Sequence, residues 1–273
     1  MSKLMKVFAI IDPTVDNQLV LKRAERIAKL RGAQILAHCC IYSNVSCQDK
    51  EALKRAEIKR YELWMEHLIA PLKEAGVDIE YQIQWDPEWR DNIGVAANES
   101  GCDLIIKASK TKSLPGRLRK TSDWQLLRTA NVPVFLMKRK KSLESAKILA
   151  AIKSDETDDT YKKMNENIMR LANEIVRPYE NGEVHVVRAY KDWDDFINPA
   201  DLAKKCGVDR TRAHSATGAP EDAIQEVANE IGAELVVIGA VASNSVTGKI
   251  FGNTVERLLD KLECDVVTVV GSK

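Results

Sequence analysis

The sequence predicts an α/β fold of two tandem units, each a five-stranded parallel, doubly wound sheet. Three observations lead there. Short apolar runs rich in β-formers alternate with amphipathic stretches of helical period, and such alternation builds parallel sheets with helical crossovers. The pattern then restarts: Asp91, Ile93, Ala97, Asn98, Glu99, Gly101 and Leu104 recur as Asp222, Ile224, Ala228, Asn229, Glu230, Gly232 and Leu235, all at one offset, which points to a duplicated unit. Finally, 273 residues exceed one typical domain of about 150. The units are placed at 1–140 and 141–273.

In the first unit, Lys6 to Asp12 reads as a strand halted by Asp12-Pro13. Asp16 is placed to cap the next helix, whose stripe is Leu19, Val20, Arg23, Ala24, Ile27 and Leu30 and whose stop is Gly32. Gln34 to Ile41 is a second strand. Residues 49–75 form a long helix with Leu53, Ala56, Trp64, His67, Leu68 and Leu72 on one face, and Pro71 is expected to kink or end it. Alternation over Asp78 to Gln84 makes a third strand. Pro87 opens a helix that Gly101 stops, and Asp103 to Ala108 and Pro133 to Lys138 are strands four and five, with a helix from about Ser122 between them.

The run 138–147, KRKKSLESAK, reads as a solvated, charged hinge, with too few basic residues to hold a duplex. The second unit opens at Ile148 to Ile152. Between its second and third strands it has only 191–208, with Trp193, Phe196 and a short helix after Pro199, where the first unit uses 42–77. Its cleft is therefore expected to be the more open, unless Trp193 and Phe196 fold in to plug it. The stretch 236–259 is an apolar run, a Gly-rich loop and the start of an amphipathic helix. A strand that empties through glycines into a helix N-terminus aims backbone N–H groups and the positive end of the helix dipole at one place, which makes a cradle for a phosphate or another anion.

Composition excludes several classes of partner. The 41 basic and 40 acidic side chains cancel, so no field draws the chain to nucleic acid or to an anionic membrane. Met1 to Lys6 has no signal-like apolar region and no run is long enough to span a bilayer, which makes the expected location cytoplasmic. The six cysteines show no C-x-x-C spacing and read as small core hydrophobes. His38, Cys39 and Cys40 alternate faces along a strand and cannot converge on one metal. His38, His67, His185 and His214 form no Ser-His-Asp arrangement, and no Walker sequence or paired-carboxylate motif is present, so no catalytic residue is assigned.

The residues then carry a resemblance. Gly239, two residues, Ala242, nine residues and Gly252-Asn253-Thr254 resemble the pattern of the universal stress protein family, whose binding members have Gly, two residues, Gly, nine residues and Gly followed by Ser or Thr. Ile11-Asp12-Pro13, the string Asp123 to Arg128 before Pro133-Val134, and Phe251 to Glu256 with Cys264-Asp265 are similar to a tandem member of that family, over essentially the whole chain. The resemblance implies strand order 3-2-1-4-5, with ligands at the carboxyl ends of the first and fourth strands, where the order reverses. It also implies an internal pseudo-dimer through the fifth strands, 132–137 and 265–270, with a homodimer as a further state. ATP with Mg²⁺ is the cofactor of the binding members, beside the reading that this chain holds none.

For this chain the implied site lies in the second unit, at Lys153, Asp155, Gly239, Ala242, Gly248, Gly252, Asn253 and Thr254. Ala242 departs by adding a Cβ, Asn253 replaces Ser or Thr, and Lys153 stands where the first unit has Asp12, with Asp155 as a substitute carboxylate. In the first unit the matching positions are Ala108, Thr111, Thr121 and Asp123; a carboxylate at that helix N-terminus caps the helix and repels phosphate. The function implied is a non-enzymatic stress-response or ligand-sensing protein. The alternatives are an ATP-binding switch or weak ATPase, and a carrier of an apolar or acyl ligand lined by Val241, Val246, Ile250 and Phe251.

Overall fold

Residues 5–46, 48–109, 122–139, 141, 143–153, 159–245, 248–250 and 253–272 are described in the computed structural model. Contacts divide the chain into Met1–Ala108 with Thr129–Val132, and Ser109–Arg128 with Pro133–Lys273. The first unit runs β1 (Lys6–Ile11), α1 (Leu19–Arg31), β2 (Gln34–Ile41), α2 (Lys50–Glu74), β3 (Ile79–Trp85), α3 (Trp89–Glu99) and β4 (Leu104–Ala108). Its strands lie in the order β3-β2-β1-β4, all parallel, with Val7 opposite both Ile35 and Leu104. Strands buried on both faces carry near-continuous apolar runs, and Val7 to Ile11 is buried throughout.

Two local expectations shift. Asp16 does not cap α1, because the helix begins at Leu19 and Asp16 stands too far ahead of it; Gln18 takes the boundary, its amide donating to the carbonyls of Asp12 and Val15 at 2.7 Å each. Pro71 does not end α2. It falls in the last turn, and the helix closes three residues later with the Ala75 N–H on the Pro71 carbonyl. The buried side of α2 is Met65 and Ile69, whereas Ala56 and His67 are exposed, since α2 rests on the edge strand β3 along a narrow line. At the other end Asp49 caps it, accepting from the Ala52 N–H at 2.8 Å.

The second unit contains all but the last residue of α4 (Ser122–Thr129), then β5 (Val134–Met137), β6 (Lys147–Ile152), α5 (Asp159–Val176), β7 (Glu183–Tyr190), α6 (Pro199–Cys206), β8 (Ala213–Thr217), α7 (Pro220–Ile231), β9 (Leu235–Ser245), β10 (Gly248–Ile250), α8 (Asn253–Lys261) and β11 (Asp265–Ser272). The order is β5-β11-β9-β6-β7-β8. The five strands from β11 to β8 are parallel in the 3-2-1-4-5 arrangement, and β5 is antiparallel to β11, with Phe135 opposite Val267. The two fifth strands of the repeat therefore pair with each other. Leu149, Val187, Val236, Ile238 and Val266 pack with Ile224 and Val227 of α7 and Leu258 of α8, and α5 packs against β6 and β9.

The charged run after β5 is pinned rather than free. Asp265 accepts from the backbone N–H groups of Lys138 and Arg139, both at 2.8 Å. Glu234 accepts from those of Glu144 and Ala146 at 3.0 Å, and Leu143 and Ala146 are buried. The basic side chains suggested a solvated hinge, but the backbone amides between them are claimed by carboxylates distant in sequence.

Candidate functional site

In a parallel sheet wound both ways, ligands bind beyond the carboxyl ends of the strands where the order reverses. In the second unit that place lies between β6 and β9. Strand β6 delivers Lys153, whose backbone N–H donates to the Asn165 side-chain oxygen at 3.1 Å and whose carbonyl accepts from its amide nitrogen at 2.8 Å. The Lys153 ammonium lies 3.9 Å from the centre of the Tyr161 ring, a cation–π contact, and the residue remains exposed. Tyr161 and Asn165 sit one turn apart on α5, so this helix fixes the end of β6.

The same helix sets the role of Gly239. On β9, opposite Val269, a Cβ at this position would stand 2.6 Å from the Met164 Cγ and 2.9 Å from its Sδ. The missing side chain is space filled by α5. Glycine here permits close strand-to-helix packing.

Ala242 is a strand residue, opposite Ser272 of β11. Gly248 opens β10, where Gly248, Lys249 and Ile250 face Ser245, Asn244 and Ser243 in an antiparallel pair. Residues 243–245 and 248–250 of the stretch expected as a Gly-rich loop are thus paired strands. β-branched and small side chains suit an extended ribbon, and pairing engages backbone groups that a loop would present to an anion. Asn253 and Thr254 are the first two residues of α8. Gly252 and Asp155 lie outside the described residues, as do Val246 and Phe251.

The C-terminal end of α8 is held firmly. Lys138 donates to the carbonyls of Leu259 and Leu262, and Arg257 pairs with the buried Glu221 of α7 at 2.8 Å. In the first half of the repeat, Asp12 accepts from the Thr14 N–H at 2.9 Å and its hydroxyl at 2.5 Å, which makes it a turn cap before the first helix. Asp123, in the first turn of α4, accepts from the Ser109 hydroxyl at 2.6 Å. Both carboxylates hold local structure. Thr111 and Thr121 lie outside the described residues.

Trp193 and Phe196 do not plug the cleft: they are 78% and 38% exposed, in and just after a short 3-10 turn, Trp193–Asp195. Their rings rest on each other and on Tyr190, so the short crossover turns them outward. Asn165 and Tyr161 were missed in the sequence. The available signal was Asn165 interrupting the apolar stripe of Met164, Ile168 and Ala172.

The remaining reactive groups are quiet. His38 is fully buried against Phe8, its ring nitrogens 3.3 Å from the Gln82 side-chain oxygen and 3.2 Å from the Cys40 sulfur, and burial lowers its pKa to about 4. Burial pushes the Cys39 and Cys40 thiols up to about 12, far from the reactive thiolate. His185 and His214 stack with ring nitrogens 3.1 Å apart, at the amino ends of their strands, away from the order reversal. Among the described residues no three groups are placed to hold a metal ion, and no helix is long and apolar enough to cross a membrane.

ATP with Mg²⁺ fits the described residues poorly. The space at Gly239 is taken by Met164, the backbone around Ala242 and Gly248 is paired, and the Lys153 ammonium rests on Tyr161. Asn253 and Thr254 open α8, and Lys153 stays exposed at the end of β6.

Comparisons with known proteins agree with this architecture. The model of the Universal stress protein family matches residues 4–138 and 146–270. The chain is similar to "Universal stress protein E" of Escherichia coli K12, 25% identical over 98% of this chain and 95% of that one. It is also similar to "Universal stress protein E homolog" of Haemophilus influenzae, 24% identical over 99% of each. A crystal structure from Pseudomonas aeruginosa UCBPP-PA14, assigned to the universal stress proteins, superposes with TM-score 0.78 at 25% identity, covering 98% of this chain and 94% of that one. A universal stress protein from Archaeoglobus fulgidus, 18% identical with TM-score 0.74 over 97% and 96% of the two chains, shares the fold.

Proposed function

We propose a function from one premise: the chain belongs to the universal stress protein family, whose model matches both halves of it. It acts as a non-enzymatic stress-response module that senses a small anionic ligand at the order reversal of its second unit. The observation that carries this reading is Lys153, an exposed ammonium whose backbone is locked to α5 at the end of β6. An exposed cation at the end of the strand where the order reverses attracts an anion without supplying a nucleophile or a general base. Lys153 leaving the Tyr161 ring for a ligand would couple occupancy to α5.

ATP with Mg²⁺ is the second reading, favoured by Asn253 and Thr254 at the start of α8. On this reading the chain is a nucleotide switch and any hydrolysis is slow and incidental, because the sequence has no Walker or paired-carboxylate motif. Equilibrium dialysis against ATP with Mg²⁺, and separately against inorganic phosphate, tests both. Saturable binding lost in Lys153→Glu and kept in Asp12→Asn supports the site. Equal losses in the two variants contradict it, and no binding at millimolar ATP removes the nucleotide reading. A carried apolar ligand would appear instead in native mass spectrometry of the purified protein.

A further inference from the structure

Outside the order reversal, the surface feature that folding explains least is the aromatic group after β7. Tyr190, Trp193 and Phe196 touch one another: Phe196 meets Tyr190 edge to face at 5.2 Å between ring centres and Trp193 at 5.4 Å, and Trp193 lies 6.0 Å from Tyr190. Trp193 is nevertheless 78% exposed. Leaving so large an apolar ring in water forgoes the stabilisation that burial would bring, and such rings are the usual anchors of protein interfaces.

The mount is rigid. The turn is closed by the Asp195 N–H on the Asp192 carbonyl at 3.0 Å and the Phe196 N–H on the Trp193 carbonyl at 3.1 Å. Next along the chain, the Ser215 hydroxyl donates to the Ile197 carbonyl at 2.5 Å, and Asn198 caps α6, accepting from the Ala200 N–H at 2.9 Å. Rings held in place before binding lose little entropy on contact.

Charge selects the partner. Asp192, Asp194 and Asp195 alternate with the rings, all exposed, and among the described residues none of the three carboxylates makes an ion pair; Lys191 is the only cation within 190–196. Aromatic faces flanked by carboxylates match a guanidinium, which stacks on a ring and pairs with a carboxylate at the same time. The same carboxylates repel the phosphates of single-stranded nucleic acid and of an anionic lipid surface, which exposed rings alone would suit.

We infer that Tyr190, Trp193 and Phe196, with Asp192, Asp194 and Asp195, form a docking surface for an arginine-bearing segment of a partner protein. Fluorescence anisotropy of a labelled hexa-arginine peptide, at low and moderate salt, tests it on the full chain. The net charge of +1 keeps general attraction to the peptide small. Saturable binding is expected, weakened roughly tenfold by Trp193→Ala with Phe196→Ala and by the triple change of Asp192, Asp194 and Asp195 to Asn, with a hexa-lysine peptide binding less tightly. These side chains are exposed, so the variants retain the fold, which circular dichroism checks. Unchanged affinity in both variants, or a labelled oligothymidine binding as well as the arginine peptide, overturns the inference.

Discussion

At position 239 the absence of a side chain is used by a neighbour. A methyl group there would press on the Met164 Cγ at 2.6 Å, so Gly239→Ala is expected to destabilise the protein by about 1–3 kcal/mol through overpacking. Shortening Met164 to Ala in the same chain should recover part of that loss in urea unfolding. A neutral Gly239→Ala would show that Met164 shifts to make room and that α5 packing does not require the glycine. His38 makes a second prediction. Burial lowers its pKa from 6.5 to about 4, so the unfolded chain binds the proton more readily than the folded one. Stability from this group is complete above about pH 6.5 and is lost as pH falls towards 4, by about 3 kcal/mol in all. Urea midpoints measured across that window should slope upward with pH, and His38→Gln should flatten the slope.

Among the elements, α8 depends on a residue outside it. Lys138 donates to the Leu259 and Leu262 carbonyls, which no intrahelical N–H can reach, and its cation lies at the negative end of the helix. Lys138→Met keeps the stem and removes the donors. It is expected to cost about 1–3 kcal/mol and to speed amide exchange in the last turn of α8, with α7 unaffected. Faster exchange throughout the unit would mean that the contact does more than hold the helix end. Signals of this kind divide the readable from the unreadable. Gly32 and Gly101 follow their helices in the left-handed region at φ 63° and 65°, where the absence of Cβ matters, and both were legible as stops. Asp49 capping α2 follows a local rule too. Glu234 holding 144–146 and Asp265 holding 138–139 join residues far apart in sequence, which no window of periodicity detects. The β9–β10 pairing was hidden for another reason: glycines and small polar residues serve a loop and an extended ribbon equally well.

At the scale of the whole chain, duplication was the most legible property because its matched residues do the same work twice. Ile93 and Ile224, Ala97 and Ala228, and Leu104 and Leu235 are all buried, so each pair is held to one size and polarity by packing. The fifth strands are where two copies achieve what one does not. Strand β11 is apolar along Val266 to Val270 except for Thr268, and β5 covers its edge, with Leu136, Phe135 and Val134 opposite Val266, Val267 and Thr268. An uncovered apolar edge recruits other strands. A fragment of residues 141–273 lacks β5 and also loses the Lys138 and Arg139 amides that Asp265 accepts from, so it is expected to self-associate on size-exclusion chromatography. A fragment of 109–273 retains that cover over β11 and should self-associate less than 141–273 at the same concentration. If 141–273 were instead a stable monomer, edge protection would not explain why the two fifth strands pair, and the pairing would have to be ascribed to side-chain packing alone.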